Sequence, residues 1–422
     1  MDQTNKLQNP FRPGAGHMPP YLAGREQEKE EFAKLLRQDT ILENLILTGL
    51  RGLGKTVLLE TFKPTAISAG WLWAGTDLSE STSISEENLA TRLIADLAVV
   101  TSSIVIDYGT AKRQHGFPRG EDDAPASTKI GLNYPTLRAI FDRAPGLISD
   151  KLKTVLEFVW PHVKTTGKRG IIFAYDEAQN LADHANKDQF PLSLLLDVFQ
   201  SLQRKNIRYM LALTGLPTLF PKLVEARTYS ERMFHIVFLD PLNEDETTKA
   251  IRKPLDNFPL KVLPHSINKI WQITCGYPYF VQYVCREVFD VWVQAHNEGE
   301  VTPSIPLKEI IRKLDVDFFA GRWARATDRQ RDLLGIIAML PHCDSEFSVQ
   351  DIVGNQANKI LEKPFSSSHV NQMLISLSDA GLVYKNRHGK YSLAVPLLGD
   401  FIKRQSDQVT TIQGKQGRFW EE

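Results

Sequence analysis

Hydrophobic positions along this chain recur with two periods. Leu45–Leu47, Trp71–Ala74, Gly170–Ala174 and Ile207–Leu213 are nearly unbroken apolar runs, as expected of strands buried on both faces of a parallel sheet. A further strand is expected at His235–Leu239. Between the runs the period changes to that of a helix: Leu89, Leu93 and Leu97 mark one apolar face, and Leu152, Val155, Leu156 and Val159 mark another. Helices are also expected after Glu26 to about Arg37 and from Pro191 to Gln203, the latter with proline in its first turn. Ser83 and Glu86 have the spacing of a capping box. Strands alternating with helices in this way predict an α/β fold built on a parallel sheet.

The pattern shifts towards the C-terminus. Helices are expected over Arg329–Leu340 and Ser348–Val353, and a third starts at Ser366, with Val370, Leu374 and Leu377 turned inward. Gly381 ends that helix, Leu382–Tyr384 and Tyr391–Ala394 form two strands, and Lys385–Lys390 makes a basic turn between them. Helix, helix, helix, hairpin is the order of a winged helix. Other stretches are irregular. Residues 1–20, rich in Pro, Gly and Asn, predict an extended arm lying on the surface or on a neighbour. Residues 107–131 predict a mobile loop, and Gln405–Glu422 a mobile polar tail.

The chemistry centres on Asn44–Glu60, NLILTGLRGLGKTVLLE. A strand leads into Gly49-Leu50-Arg51-Gly52-Leu53-Gly54-Lys55-Thr56-Val57, which satisfies G-x-x-x-x-G-K-[ST] and opens a helix. Glycines here let backbone N–H groups turn towards a phosphate, helped by the positive end of the helix. Lys55 suits the β/γ-phosphate oxygens and the Thr56 hydroxyl suits Mg²⁺. The run Gly170–Tyr175 ends in Asp176 and Glu177. Asp176 is expected to support Mg²⁺, and Glu177 to act as general base towards water. Thr214 ends the next strand before Gly215, where it reads by itself as a turn residue. Arg232, and after it Arg227, precede the last strand. A planar, always-charged guanidinium suits a phosphate, and the alternative for each is an ordinary surface ion pair.

Composition narrows the field. The 422 residues suffice for two or three domains; 42% are hydrophobic and 24% charged, as in an ordinary globular protein. Formal net charge is zero, so any nucleic-acid contact must come from a local patch. Three cysteines without C-x-x-C spacing read as reduced thiols, and with no signal peptide and no apolar run of membrane length the expected location is cytoplasmic, without a membrane partner.

In their order, Gly49–Thr56, Ile171–Glu177, Thr214 and Arg232 resemble the AAA+ P-loop ATPases. Asp240–Glu246 and Cys275-Gly276-Tyr277-Pro278-Tyr279-Phe280-Val281-Gln282 are similar to the lid segments of the STAND and archaeal-type ATPases related to replication initiators. The resemblance implies a parallel-sheet AAA+ core, a helical lid and a winged-helix domain. It places Leu22 and Pro278 near adenine and gives Thr214 the sensor role. It makes Arg232 a finger that completes a neighbour's site, and hence implies a homo-oligomer. Tyr277-Pro278 stands where many lids carry an arginine, and the nearest, Arg286, is about two turns on, which favours a slow switch. The expected layout is an arm (1–20), a core (21–242, with an insertion at about 100–165), a lid (243–320), a winged helix (321–405) and a tail (406–422).

The implied function is an ATPase that uses ATP and Mg²⁺, assembles in response to nucleotide and acts on or near DNA. Ser367, Ser368, Asn371 and Gln372 would then face bases of double-stranded DNA, and Lys385, Arg387 and Lys390 its phosphates. The alternative is a STAND-like signalling ATPase whose winged helix only packs or oligomerises and which activates a separate effector protein.

Overall fold

The computed structural model describes residues 8–108, 128–260, 262–299, 305–343, 345–387 and 389–405. By contacts the chain forms two compact units. One contains Glu26–Thr48 and Leu58–Phe238; the other contains the described residues up to Arg25, Gly49–Val57, and those from Leu239 onward.

The first unit holds α1 (Glu26–Leu35), β1 (Asn44–Thr48), most of α2 (Lys55–Ser68), β2 (Trp71–Ala74), α3 (Glu86–Thr101), β3 (Val105–Tyr108), β4 (Thr128–Gly131), α4 (Tyr134–Arg143), α5 (Ile148–Thr165), β5 (Gly170–Tyr175), α6 (Pro191–Arg204), β6 (Tyr209–Gly215), α7 (Leu219–Ala226) and β7 (Phe234–Phe238). Five strands form a parallel sheet in the order β2-β5-β6-β1-β7. Every residue of β1, β5 and β6 is buried, which is why these strands read as continuous apolar runs. The register pairs Leu47 with Thr214, Thr48 with Gly215, and Tyr175 with Leu213, so the carboxyl ends of β1, β5 and β6 share one edge. At the opposite edge, Asn44 is fully buried: its Oδ1 accepts from Leu211 N and Gln203 Nε2, both at 2.8 Å. These bonds satisfy a buried amide and fix β1 against β6.

The segment between α3 and β5 departs from expectation in one place. The sequence predicts an irregular loop over 107–131, yet β3 and β4 pair antiparallel, Ile106 opposite Ile130. Residues 109–127 lie outside the described part. The pairing buries Ile106, a gain that composition does not signal. The cap of α3 also differs. Ser85, not Ser83, accepts from Asn88 N at 3.1 Å, while Ser83 belongs to a 3₁₀ turn and its hydroxyl accepts from Ala182 N at 2.9 Å.

The second unit holds α8 (Glu244–Arg252), α9 (Pro264–Thr274), α10 (Pro278–Asn297), α11 (Leu307–Leu314), α12 (Gly321–Trp323), α13 (Asp328–Ala338), α14 (Val349–Gly354), α15 (Gln356–Ile360), α16 (Ser367–Asp379) and the hairpin β8 (Val383–Arg387) and β9 (Lys390–Leu393). Asn243 and Glu246 close a reciprocal capping box at the start of α8. The arm is held to α10: Phe11 is buried with its ring edge-on to Phe289, Asn9 Nδ2 donates to Arg286 O at 2.8 Å, and Arg12 N donates to Gln282 Oε1 at 3.2 Å. No helix among the described residues is long and apolar enough to cross a membrane.

Gly276 shows how tightly the helical part is closed. Its φ is +71°, Leu242 N donates to its carbonyl at 2.8 Å, and a Cβ there would sit 1.9 Å from Leu242 O. Backbone cannot swing aside as a side-chain tip can. Gly276→Ala is expected to cost about 3 kcal/mol or more, measured by urea unfolding. At Gly54, φ is +85° and a Cβ meets nothing within 4 Å. Gly54→Ala should cost only the left-handed backbone, about 1–2 kcal/mol.

Candidate nucleotide site

The glycine loop belongs to the second unit and is built into its packing. Gly49, Gly52 and Gly54 all have positive φ, at 157°, 84° and 85°. Leu53 is a buried anchor, and Tyr279 N, at the start of α10, donates to Gly52 O at 3.1 Å. Arg25 supplies a clamp that hydropathy does not reveal. It is 4% exposed, and its Nη2 donates to Leu53 O at 3.1 Å and Asp240 O at 2.9 Å. A buried guanidinium needs such partners. Here it joins the segment before α1 to the loop and to the chain after β7. Its sequence signal is its place three residues after Leu22, in the segment that the resemblance sets near adenine. Leu22 and Pro278 are both half-buried, and Pro278 is the first residue of α10.

Lys55 Nζ donates to Gly49 O and Leu50 O, both at 2.9 Å, which folds the cation back over the loop. Lys55 and Thr56 open α2, a helix of 14 residues. Gly16 of the arm lies close by, its Cβ position 3.2 Å from Thr56 Cγ2. These features fit an oligophosphate. They combine a lysine above the loop, a helix N-terminus, a hydroxyl, and open space beside Gly54 where the backbone already has the required turn.

The acidic end of β5 belongs to the first unit. Asp176 is 5% exposed, and its Oδ1 accepts from Glu177 N at 2.7 Å and from the hydroxyl of Thr214, which is fully buried. Its main chain is pinned by Leu78 N donating to Asp176 O at 2.9 Å. Glu177 is exposed and has φ of 52°, a left-handed conformation that a non-glycine residue holds only when its surroundings enforce it. Gln179 Nε2 donates to Glu177 Oε2, and Gln179 Oε1 accepts from Leu216 N at 3.1 Å. Lys222 Nζ donates to Gln179 O at 2.8 Å, and burial holds the Lys222 amine below its usual range. Sequence reasoning passed over Gln179; its only signal is its position two residues after Glu177.

The two arginines differ. Arg227 donates twice to Asp197, at 2.8 and 2.6 Å, and Tyr229 OH donates to the same carboxylate at 2.6 Å. Burial works against the Asp197 anion, but these bonds outweigh it and hold its carboxyl below the usual range. Arg232 is exposed and makes no ion pair among the described residues. It lines a cavity of about 460 Å³ with Thr40, Asn206 and Met233, residues that precede β1, β6 and β7. Arg232 therefore lies at the amino edge of the sheet, opposite Asp176 and Thr214.

In the C-terminal elements, Ser367, Ser368, Asn371 and Gln372 are exposed on α16. Asn371 Nδ2 is turned to its own helix, donating to Ser367 O at 3.0 Å. Lys385 is exposed, and Lys390 Nζ lies 4.0 Å from Asp351 Oδ2. The side chain of Arg387 is outside the described part.

A family model described as "Domain of unknown function (DUF8462)" matches residues 316–402. A search of curated protein sequences finds no match. Among solved structures, the chain is similar to a Walker-type ATPase of Pyrococcus abyssi, with 16% identity and a TM-score of 0.54 over 90% of this chain and 96% of that one. It is also similar to the Aeropyrum pernix ORC2 protein in its ADP form, with 13% identity and a TM-score of 0.51 over 93% of this chain and 97% of that one. Identities this low speak for fold alone: the chain has the mixed α/β, parallel-sheet fold of AAA+ ATPases, with a Walker-type ATPase and an ADP-form ORC2 protein among its structural neighbours.

Proposed function

We propose that this protein is an ATP-binding switch that hydrolyses ATP slowly, assembles with copies of itself in response to nucleotide, and acts on or near double-stranded DNA. One observation carries the ATPase part. Asp176 and Thr214 meet at the sheet edge where β1 ends, and β1 runs directly into the Gly49–Thr56 loop. Ligands of open parallel sheets bind at that edge.

In this reading the loop N–H groups and Lys55 would hold the phosphates, and Thr56 and Asp176 would hold Mg²⁺. Bound Mg²⁺ would neutralise charge on the β/γ oxygens. Glu177 takes the proton of the attacking water. Thr214 orients Asp176 through the bond it already makes. Arg232 would reach another subunit; it is exposed, has no carboxylate partner among the described residues, and lies on the sheet edge away from Asp176 and Thr214. Arg227 is committed to Asp197 and serves stability.

The C-terminal order α13, α14, α16, β8, β9, with α15 inserted, supports a winged-helix reading, in which Lys385, Arg387 and Lys390 would contact DNA phosphates. One observation favours a second reading, a signalling switch with no DNA step. The exposed face of α16 carries no Lys or Arg and leaves Ile375 61% exposed, which suits contact with protein better than with phosphate.

Four outcomes follow. Lys55→Ala should lose ATP-analogue binding by about a hundredfold in titration calorimetry, whereas Glu177→Gln should bind normally and lose turnover by about 10²–10⁴-fold. Unchanged turnover in Glu177→Gln would sink the base assignment. Arg232→Ala should lower turnover by about 10³-fold without moving the melting temperature; Arg227→Ala should do the reverse. The stabilisation from Asp197 is present above the usual aspartate pKa and lost as pH falls through its lowered folded value, so melting curves of wild type and Arg227→Ala should converge below about pH 4. If DNA is bound, Lys385→Ala should reduce the slope of log affinity against log salt by about one unit; no DNA affinity at low salt would favour the signalling reading.

A further inference from the structure

Each of the two acids after β5 is tethered to the end of β6, by different means. Asp176 is tied directly, through the hydroxyl of Thr214. Glu177 is tied through an intermediary: the Gln179 amide donates to Glu177 Oε2 and accepts from Leu216 N at 3.1 Å, two residues beyond Thr214. The intermediary is itself fixed. Lys222 of α7 donates to the Gln179 carbonyl at 2.8 Å, and Gly215 leaves room for the amide, since a Cβ there would come 2.8 Å from Gln179 Oε1. An exposed glutamate otherwise samples several rotamers, and Glu177 is the exposed member of the pair.

We propose that Gln179 is a positioning residue for Glu177, holding its carboxylate in one orientation and tying that orientation to the β6–α7 loop. The proposal rests on the reading of Glu177 as general base. A single amide spans the two groups: its N–H half meets the carboxylate and its C=O half meets the loop. Thr214 and Leu216 leave the same strand, so a shift of that loop turns Asp176 and Glu177 together. Gln179 touches no reacting atom in this scheme. It acts by restricting the base to a reactive geometry, an effect seen in turnover and not in nucleotide affinity.

Two substitutions separate the halves of the amide. Gln179→Glu keeps an acceptor for Leu216 N but sets a like charge against Glu177; Gln179→Met keeps the bulk and loses both bonds. Both should lower kcat about tenfold or more, with ATP-analogue affinity within about twofold of wild type. Gly215→Ala, which displaces the amide without altering it, should lower kcat in the same direction. A readout without nucleotide is the urea midpoint of Glu177→Ala, Gln179→Ala and the double variant, which should be non-additive. Wild-type kcat in Gln179→Glu would overturn the proposal by reducing Gln179 to a support for the loop, and additive midpoints would overturn the contact itself. If wild type and Glu177→Gln turn over ATP equally, the base reading fails, while the midpoints still decide whether Gln179 holds Glu177.

Discussion

A carboxylate nearly out of water must be hydrogen-bonded, and Asp176 is 5% exposed. Its partners come from the Glu177 main chain and from Thr214 on β6. That requirement ties β5 to β6 at one edge of the sheet. Because β6 lies between β5 and β1, it also sets where the chain leaves β1 for the glycine loop. The buried Asn44 does the corresponding work at the other edge, bonding to β6 and α6. Apolar strands alone could slide along one another; these polar contacts hold the register on which the site depends.

A second constraint acts within the helical unit. The glycine loop is packed against the start of α10 and stitched by Arg25 to the chain after β7. The close pass of Gly276 against Leu242 fixes where α10 begins. These contacts tie the position of the loop to the start of α10 and to the chain after β7.

Strands β1, β5 and β6 were legible because burial on both faces leaves a continuous apolar run, and the glycine loop because its residue types are dictated by backbone geometry. The hairpin β3–β4 was not, since its gain comes from burying Ile106 within a segment of loop-like composition. The cap of α3 was misplaced by two residues because Ser83 and Ser85 are equivalent as letters and differ only in what surrounds them. Gln179 and Arg25 escaped notice for a related reason. Their partners, Leu216 and Asp240, lie 37 and 215 positions away.

The sequence by itself determined the alternation of buried strands and amphipathic helices, the glycine-rich loop Gly49–Thr56 and the acidic end of β5. Each of these is a local pattern, set by neighbours within a turn or a strand. The tertiary structure decided the rest. It set the strand order that brings Thr214 to Asp176, and it gave Arg227 and Arg232 different surroundings within one short segment. It also bound the arm onto α10 and set the Gln179 amide between Glu177 and Leu216. Those outcomes depend on which distant groups meet, because a polar group taken out of water is stable mainly where a hydrogen-bond partner faces it.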